Sequence, residues 1–223
     1  MPKIRTIGQL QAALTEDLKW RTQEVSQWEA VTARAKRHEL SAVVRGGVAL
    51  LYGHWEGYVK SAVTCYLEYV SLKGLPIADL RDELAAIALR GLLGKGEASK
   101  KALDHTAVVS AIRETREDLP IKLPYDQATV RTYSNLNFER FEDIMHSIGC
   151  DSSRHDIHRG LIDLRLLKAR NEIAHGREFY VELEDWKVLR KRVFEILADV
   201  RSQIGNSAEN EEYRHSSPSR TSK

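Results

Sequence analysis

The residues best suited to chemistry lie in a short run from Arg170 to Gly176. Four residues separate Arg170 from His175, and Asn171 follows the arginine directly. A guanidinium is a permanent cation whose planar fork of donors fits phosphoryl oxygens. An imidazole accepts and donates protons near neutral pH. These residue types indicate a site that handles a phosphate group and a proton.

One reaction that fits this pair is cleavage of RNA by attack of the ribose 2′-hydroxyl on the adjacent phosphorus. His175 would serve as general base or acid, because a proton must leave the 2′-oxygen and another must reach the leaving 5′-oxygen. Arg170 would neutralise the charge that builds on the phosphoryl oxygens. The substrate should be single-stranded or looped RNA, in which the 2′-oxygen can align with the leaving group. We expect neither a metal nor a cofactor.

Apolar residues at Ile157, Leu161, Leu164 and Leu167 predict one face of a helix. This helix should run to His175 and be stopped by Gly176. Residues five apart on an ideal helix differ by about 140° in rotation and about 7.5 Å in rise. Arg170 and His175 would therefore flank a site obliquely. A two-fold dimer that joins two such helix ends would give a composite cleft with two arginines and two histidines.

The rest of the chain predicts an all-α bundle around one central helix. Apolar residues cover most of the circumference of a helix that begins at Leu40 and should end near Lys73-Gly74, which is typical of a helix packed on several sides. An amphipathic helix over about residues 7–38 precedes it as an extension. Two shorter helices, Ile77 to Leu93 and Glu97 to Thr115, a long ordered loop over 117–136, a helix capped by Asn137 and a last helix from Trp186 to Val200 complete the prediction. One domain then spans 1–204, and the polar segment 205–223 should be disordered.

Composition narrows the class of protein. The net charge of +2 gives no general attraction to nucleic acid, so an anion site must come from local clustering. Only two cysteines are present, and they form no CxxC pair. No signal peptide and no apolar span long enough for a bilayer are visible, so we expect a cytoplasmic protein without membrane contact.

Other candidate sites are weaker. Cys150, His155 and His158 lack a fourth ligand and match no common zinc spacing, so we predict no metal there. The tyrosines of the central helix follow its buried stripe and indicate packing rather than base stacking. Residues 154–177 hold six basic and three acidic residues. This segment is either a phosphate-attracting patch or a solvated helix face.

Three segments together resemble the HEPN superfamily, in the group that contains the RiboL-PSP and MAE-type ribonucleases. They are the run Arg170-Asn171-Glu172-Ile173-Ala174-His175-Gly176, the central-helix stretch from Leu50 to Lys60, and the stretch from Ser134 to Glu139 that leads into the helix ending at Gly149. The similarity in order and spacing extends from about Leu40 to Val200.

The resemblance implies a HEPN helical bundle, dimerisation through the motif helices, and metal-independent RNA cleavage. Arg170 and His175 would be the catalytic pair, Asn171 would orient the phosphate, and Glu56 would brace the site. Many such proteins are toxins or phage-defence effectors that work with an antitoxin protein. Two alternatives remain: a non-catalytic HEPN module that binds a partner protein, a nucleotide or RNA, and a purely structural helical scaffold.

Overall fold

The computed structural model describes residues 3–98, 101–114, 121–126 and 129–215. This part of the chain contains seven α-helices and no β-strand; a single isolated bridge pairs Leu80 with Arg214. The helices are α1 (Ile7–Arg34), α2 (Leu40–Ser71), α3 (Asp82–Ala98), α4 (Ala102–Glu114), α5 (Phe138–Ser147), α6 (Lys168–Ala174) and α7 (Leu183–Glu209). The predicted all-α architecture is confirmed.

Helix α2 lies at the centre of the bundle, and Trp55 and Tyr58 on this helix donate hydrogen bonds to neighbouring segments. The Trp55 indole donates to the Leu136 carbonyl at 3.0 Å. The Tyr58 hydroxyl donates to the carbonyl of Leu14 on α1 at 3.2 Å. Each ring is fully buried, so it contributes apolar area while its N–H or O–H stays paired.

Helices α1 and α7 both pack on α2, and Gly47 makes this close approach possible. A Cβ at Gly47 would stand 2.7 Å from the Trp28 indole nitrogen and 2.8 Å from that of Trp186. The first indole belongs to α1 and the second to α7. The missing side chain therefore makes room for two large rings on one turn of α2.

Buried polar residues also join α1 to α2. The His54 ring lies between Glu24, 3.0 Å from its Nε2, and the Arg21 guanidinium, 3.5 Å from its Nδ1. Burial and the neighbouring Arg21 charge hold the pKa of His54 below its ordinary value. His54 is thus part of the helix interface.

The end of the domain differs from the sequence prediction. Disorder was expected from residue 205, but α7 continues to Glu209 and Tyr213 is buried, with its ring centroid 6.0 Å from that of Tyr69 in an edge-to-face arrangement. The Arg81 amide donates to the Tyr213 carbonyl at 3.0 Å. A few well-placed apolar side chains order this segment despite its polar composition, so the predicted boundary was wrong for 205–215. Residues 216–223 lie outside the described part of the chain.

Of two predicted connections between helices, the structure lacks the first and contains the second. The expected break at Gly94 to Gly96 does not occur, because α3 runs through it to Ala98; glycine inside a helix costs only about 1 kcal/mol. The predicted loop before α5 is present as irregular structure over 121–126 and 129–137. Its other residues, 117–120 and 127–128, lie outside the described residues.

The segment that leads to the motif is not one α-helix. A 3₁₀ helix, Ser153–His158, is followed by a π-helix, Leu161–Leu167, and then by α6. The wider π-helical turn points Ile162, Leu166 and Leu167 into the core and leaves Leu164 68% exposed. Ile157 is 83% exposed. The regular spacing predicted from Ile157 was therefore wrong, although the helix does end at the predicted place.

Candidate functional site

The motif residues lie on α6 and at its end, held by bonds from the preceding π-helix. The Lys168 amide donates to the Asp163 carbonyl, a bond across five residues that marks the end of the π-helix. The Asp163 carboxylate accepts from the Phe138 amide at 2.7 Å. Through its carbonyl and its carboxylate, Asp163 therefore connects the start of α5 to α6, the helix that carries the motif.

Arg170 is half-buried and lies over the ring of Tyr52 on α2. The guanidinium carbon is 4.6 Å from the ring centroid, and one of its nitrogens donates to the side-chain oxygen of Asn171 at 2.8 Å. A cation held over an aromatic face keeps its charge while its orientation is fixed. The structure therefore brings together two of the three predicted site residues and presents them as one rigid unit.

Tyr52 is the residue beneath this unit that the sequence analysis assigned only to packing. Its hydroxyl accepts from the Leu136 amide at 2.7 Å. Burial, followed by the charge of Glu56 and a hydrogen bond to it, raises the pKa of Tyr52 far above its ordinary value. The phenol stays neutral, so Arg170 rests on an uncharged ring.

Glu56, for which the resemblance implied a bracing role, lies beside Tyr52 on α2. It lies one helical turn along α2 from Tyr52 and bonds to its hydroxyl. The i, i+4 pair of a tyrosine and a glutamate was the signal in the sequence that could have identified Tyr52.

His175 occupies the C-cap of α6, and its side chain is exposed. The turn that follows is a Schellman motif: the Arg177 amide donates to the Glu172 carbonyl and the Gly176 amide to that of Ile173. Gly176 has a φ of +70°, which explains the glycine at this position. The imidazole is therefore open to solvent at a well-defined helix end.

The end of α6 is also fastened to the central helix. Arg45 of α2 donates to the Arg177 carbonyl at 2.9 Å, and Arg177 pairs with Glu172 at 3.1 Å. These bonds fix the turn on which His175 sits. Within the described residues of one chain, no hydrogen bond joins the His175 imidazole to Arg170 or Asn171.

The basic residues of the segment 154–177 are mostly neutralised. Ion pairs form between Arg154 and Asp199, Arg159 and Glu142, Arg165 and Asp185, and Arg177 and Glu172. Lys168 and Arg170 form no such pair among the described residues; Lys168 is exposed, whereas Arg170 is held over the Tyr52 ring and its charge remains available for an anion. The structure favours one placed cation over a broad phosphate-attracting patch.

The histidines upstream of the motif bond to protein groups. His155 Nε2 is 2.7 Å from the Asp199 carboxylate, and the His158 ring stacks on that of His155 at 6.3 Å. Burial raises the pKa of the Cys150 thiol to about 12. In the part of the chain that the structure describes, no group of three His, Cys, Asp or Glu side chains is arranged to hold a metal ion. No helix in that part is long and apolar enough to cross a membrane.

Comparison with known families accounts for almost the whole chain. The HEPN_MAE_28990-like HEPN family model matches residues 10–213. The chain belongs to this HEPN family. The match includes α1 and the residues after Gly205, so the HEPN domain is longer than the range, Leu40 to Val200, over which the sequence resembled it. Searches of curated proteins and of solved structures gave no significant match.

Proposed function

We propose that this HEPN protein is a metal-independent endoribonuclease. The observation that carries the proposal is the Arg170–Asn171 unit, which the Tyr52 ring holds in a fixed orientation one helical turn before the exposed His175. An oriented, unpaired guanidinium and an accessible imidazole are the two groups that the cleavage of RNA by its own 2′-hydroxyl requires.

The proposed reaction is a transesterification. His175 removes the proton from the ribose 2′-oxygen, which forms a bond to the adjacent phosphorus while the bond to the 5′-oxygen breaks. The leaving 5′-oxygen takes up a proton from an imidazolium. Arg170 stabilises the negative charge on the non-bridging oxygens, and Asn171 orients the phosphate. The products are a 2′,3′-cyclic phosphate and a 5′-hydroxyl.

A homodimer through the motif helices supplies the second imidazole that this scheme uses. The exposed apolar side chains of Ile157 and Leu164 lie on the two helices that precede α6. Large apolar residues that are 83% and 68% exposed suit a surface covered by another chain. A two-fold axis near them would bring two copies of the helix end together.

In the cell, we propose that the protein is a cytoplasmic toxin or phage-defence effector. Uncontrolled RNA cleavage damages its host, so an antitoxin protein that covers the motif would be expected as a partner. Both the cellular role and the antitoxin partner are proposed on the basis of the ribonuclease activity.

An assay with purified protein tests the proposal. Mixed RNA is incubated with the full-length protein in the presence of EDTA, and the products are separated on a gel and their ends identified. We expect cleavage that EDTA does not inhibit and fragments with cyclic phosphate ends. Tight RNA binding without cleavage would instead identify a non-catalytic HEPN module, and neither binding nor cleavage would indicate a structural scaffold.

A further inference from the structure

A cleft between α3, α5 and the segment 129–133 carries features that the candidate site does not use. It encloses about 190 Å³. Its apolar lining consists of Val63, Leu67, Ile87, Val130 and Ile144. The same cleft contains three arginines, Arg90, Arg131 and Arg140, against one acidic residue, Asp143. An apolar floor with a cationic rim suits a ligand that is part flat ring and part anion.

Tyr133 stands at this cleft in an unusual conformation. Its φ is +54°, and that of Ser134 is also +54°. The left-handed region is unfavourable for a bulky residue and is found where the surroundings enforce it, often at binding sites. The side chain is nonetheless 67% exposed. The fold thus maintains a costly backbone turn that presents an aromatic ring to solvent.

Arg140 supports that ring from one side. Its guanidinium carbon is 5.2 Å from the Tyr133 ring centroid, and it donates to the Asn135 carbonyl at 2.6 Å. A ring that already has a cation near it and is largely solvent-exposed offers its remaining surface for stacking.

The arginines of the cleft keep their charge. Arg90 donates to the Thr129 carbonyl at 3.0 Å and so is held in place by a neutral group. Arg131 is exposed and makes no hydrogen bond or ion pair among the residues that the structure describes. Neither Arg90 nor Arg140 forms an ion pair with a described carboxylate. The cleft therefore has a net positive charge that is available to an anion.

The cleft lies a short distance from the candidate catalytic site. Tyr133 is three residues from Leu136, whose amide bonds to the hydroxyl of Tyr52 beneath Arg170. Three residues of chain span at most about 11 Å. A ligand that stacks on Tyr133 therefore lies within a few nucleotides of a phosphate at Arg170.

We propose that this cleft binds a nucleotide of single-stranded RNA next to the cleaved linkage. Its base stacks on Tyr133, and its phosphate pairs with Arg131 and the neighbouring arginines. Stacking on a protein ring requires an unpaired base, so the cleft selects single-stranded over double-stranded RNA. This inference rests on the proposed ribonuclease function for its substrate, and it concerns binding, which can be measured without cleavage.

The experiment measures the affinity of a fluorescent single-stranded RNA by anisotropy, in a His175→Ala background that prevents cleavage. Tyr133→Leu keeps the apolar bulk but removes the π face, and should weaken binding by about 5- to 160-fold, the value of one stacked base. Tyr133→Phe should bind like the parent. Arg131→Gln should lower the slope of log K against log salt by about 0.7, the value of one phosphate contact on a single strand. Tyr133→Leu should leave that slope unchanged.

Lys19→Gln is the control for loss of one positive charge, since its partner is the exposed Glu16 on the same helix α1. Lys19→Gln should change neither the affinity for RNA nor the slope of log K against log salt by more than the experimental error. Equal affinities for the parent and Tyr133→Leu, or equal effects of Arg131→Gln and Lys19→Gln, would overturn the inference even if the wild-type protein cleaves RNA. If the wild-type protein does not cleave RNA but Tyr133→Leu still weakens binding, the result supports RNA binding by the cleft and contradicts the proposed nuclease activity.

Discussion

His175→Ala should lower the rate of RNA cleavage by at least about 100-fold, because a positioned general acid or base contributes roughly 10²- to 10⁴-fold. The side chain is exposed, and the hydrogen bonds of the turn around it come from the backbone. Its loss should therefore leave the free energy of unfolding within about 0.5 kcal/mol of the wild-type value. Single-turnover cleavage of a defined RNA and thermal unfolding measure the two effects.

His38→Ala is the matched control, since the His38 side chain is 76% exposed and lies on the connection between α1 and α2. It should cleave at the wild-type rate. Unchanged cleavage by His175→Ala would remove the imidazole from the mechanism. A similar loss in both variants would point to a general effect of removing surface histidines.

Arg170→Ala should lower the cleavage rate by about 100- to 1,000-fold, as does the loss of other donors that stabilise charge in a transition state. Arg170→Lys keeps the charge but loses the planar fork that both lies over Tyr52 and bonds to Asn171. It should recover only part of the activity. The rate at saturating RNA is the quantity to compare, because the interaction is expected to be stronger in the transition state than in the ground state.

Arg192→Lys on α7 is the control for this series, because Arg192 forms an exposed i, i+3 ion pair with Glu195. Its rate should equal that of the wild type. Full activity of Arg170→Lys would show that a point charge is sufficient and would contradict the role given to the fork.

The elements that the sequence predicted well are those whose period is regular over many turns. The apolar circumference from Leu40 onward predicted α2, whose end at Ser71 lies two residues before the predicted end at Lys73, and Gly176 correctly marked the end of α6. Both are local signals, because a long apolar period and a glycine with positive φ leave few alternatives.

The failures arose where tertiary contacts override local pattern. The π-helix over Leu161–Leu167 changes which side chains face the core, so Leu164 was assigned to an apolar stripe but is exposed. The segment around Tyr213 is ordered by a few buried apolar side chains, among them Ala208 and Tyr213, despite its polar composition. Such outcomes depend on partners far away in the chain.

In the candidate site, too, some residues could be predicted from the local sequence and others depend on tertiary contacts. Arg170, Asn171 and His175 were identifiable by residue type and spacing, whereas the role of Tyr52 depends on the crossing of α6 over α2. Tyr133 was not singled out, because its exposure and its left-handed backbone are properties of the folded segment. The sequence predicted the reacting groups, and the structure supplied the groups that hold them.

The most direct measurement compares two otherwise identical RNA oligonucleotides, one of which carries a single 2′-deoxyribose on the 5′ side of the mapped cleavage point. The proposed reaction uses that 2′-oxygen to attack the phosphorus, so the account predicts that the substituted linkage remains intact in EDTA while the all-ribose linkage yields a 2′,3′-cyclic phosphate and a 5′-hydroxyl. Equal cleavage of both oligonucleotides, or products with 5′-phosphate ends, would contradict it.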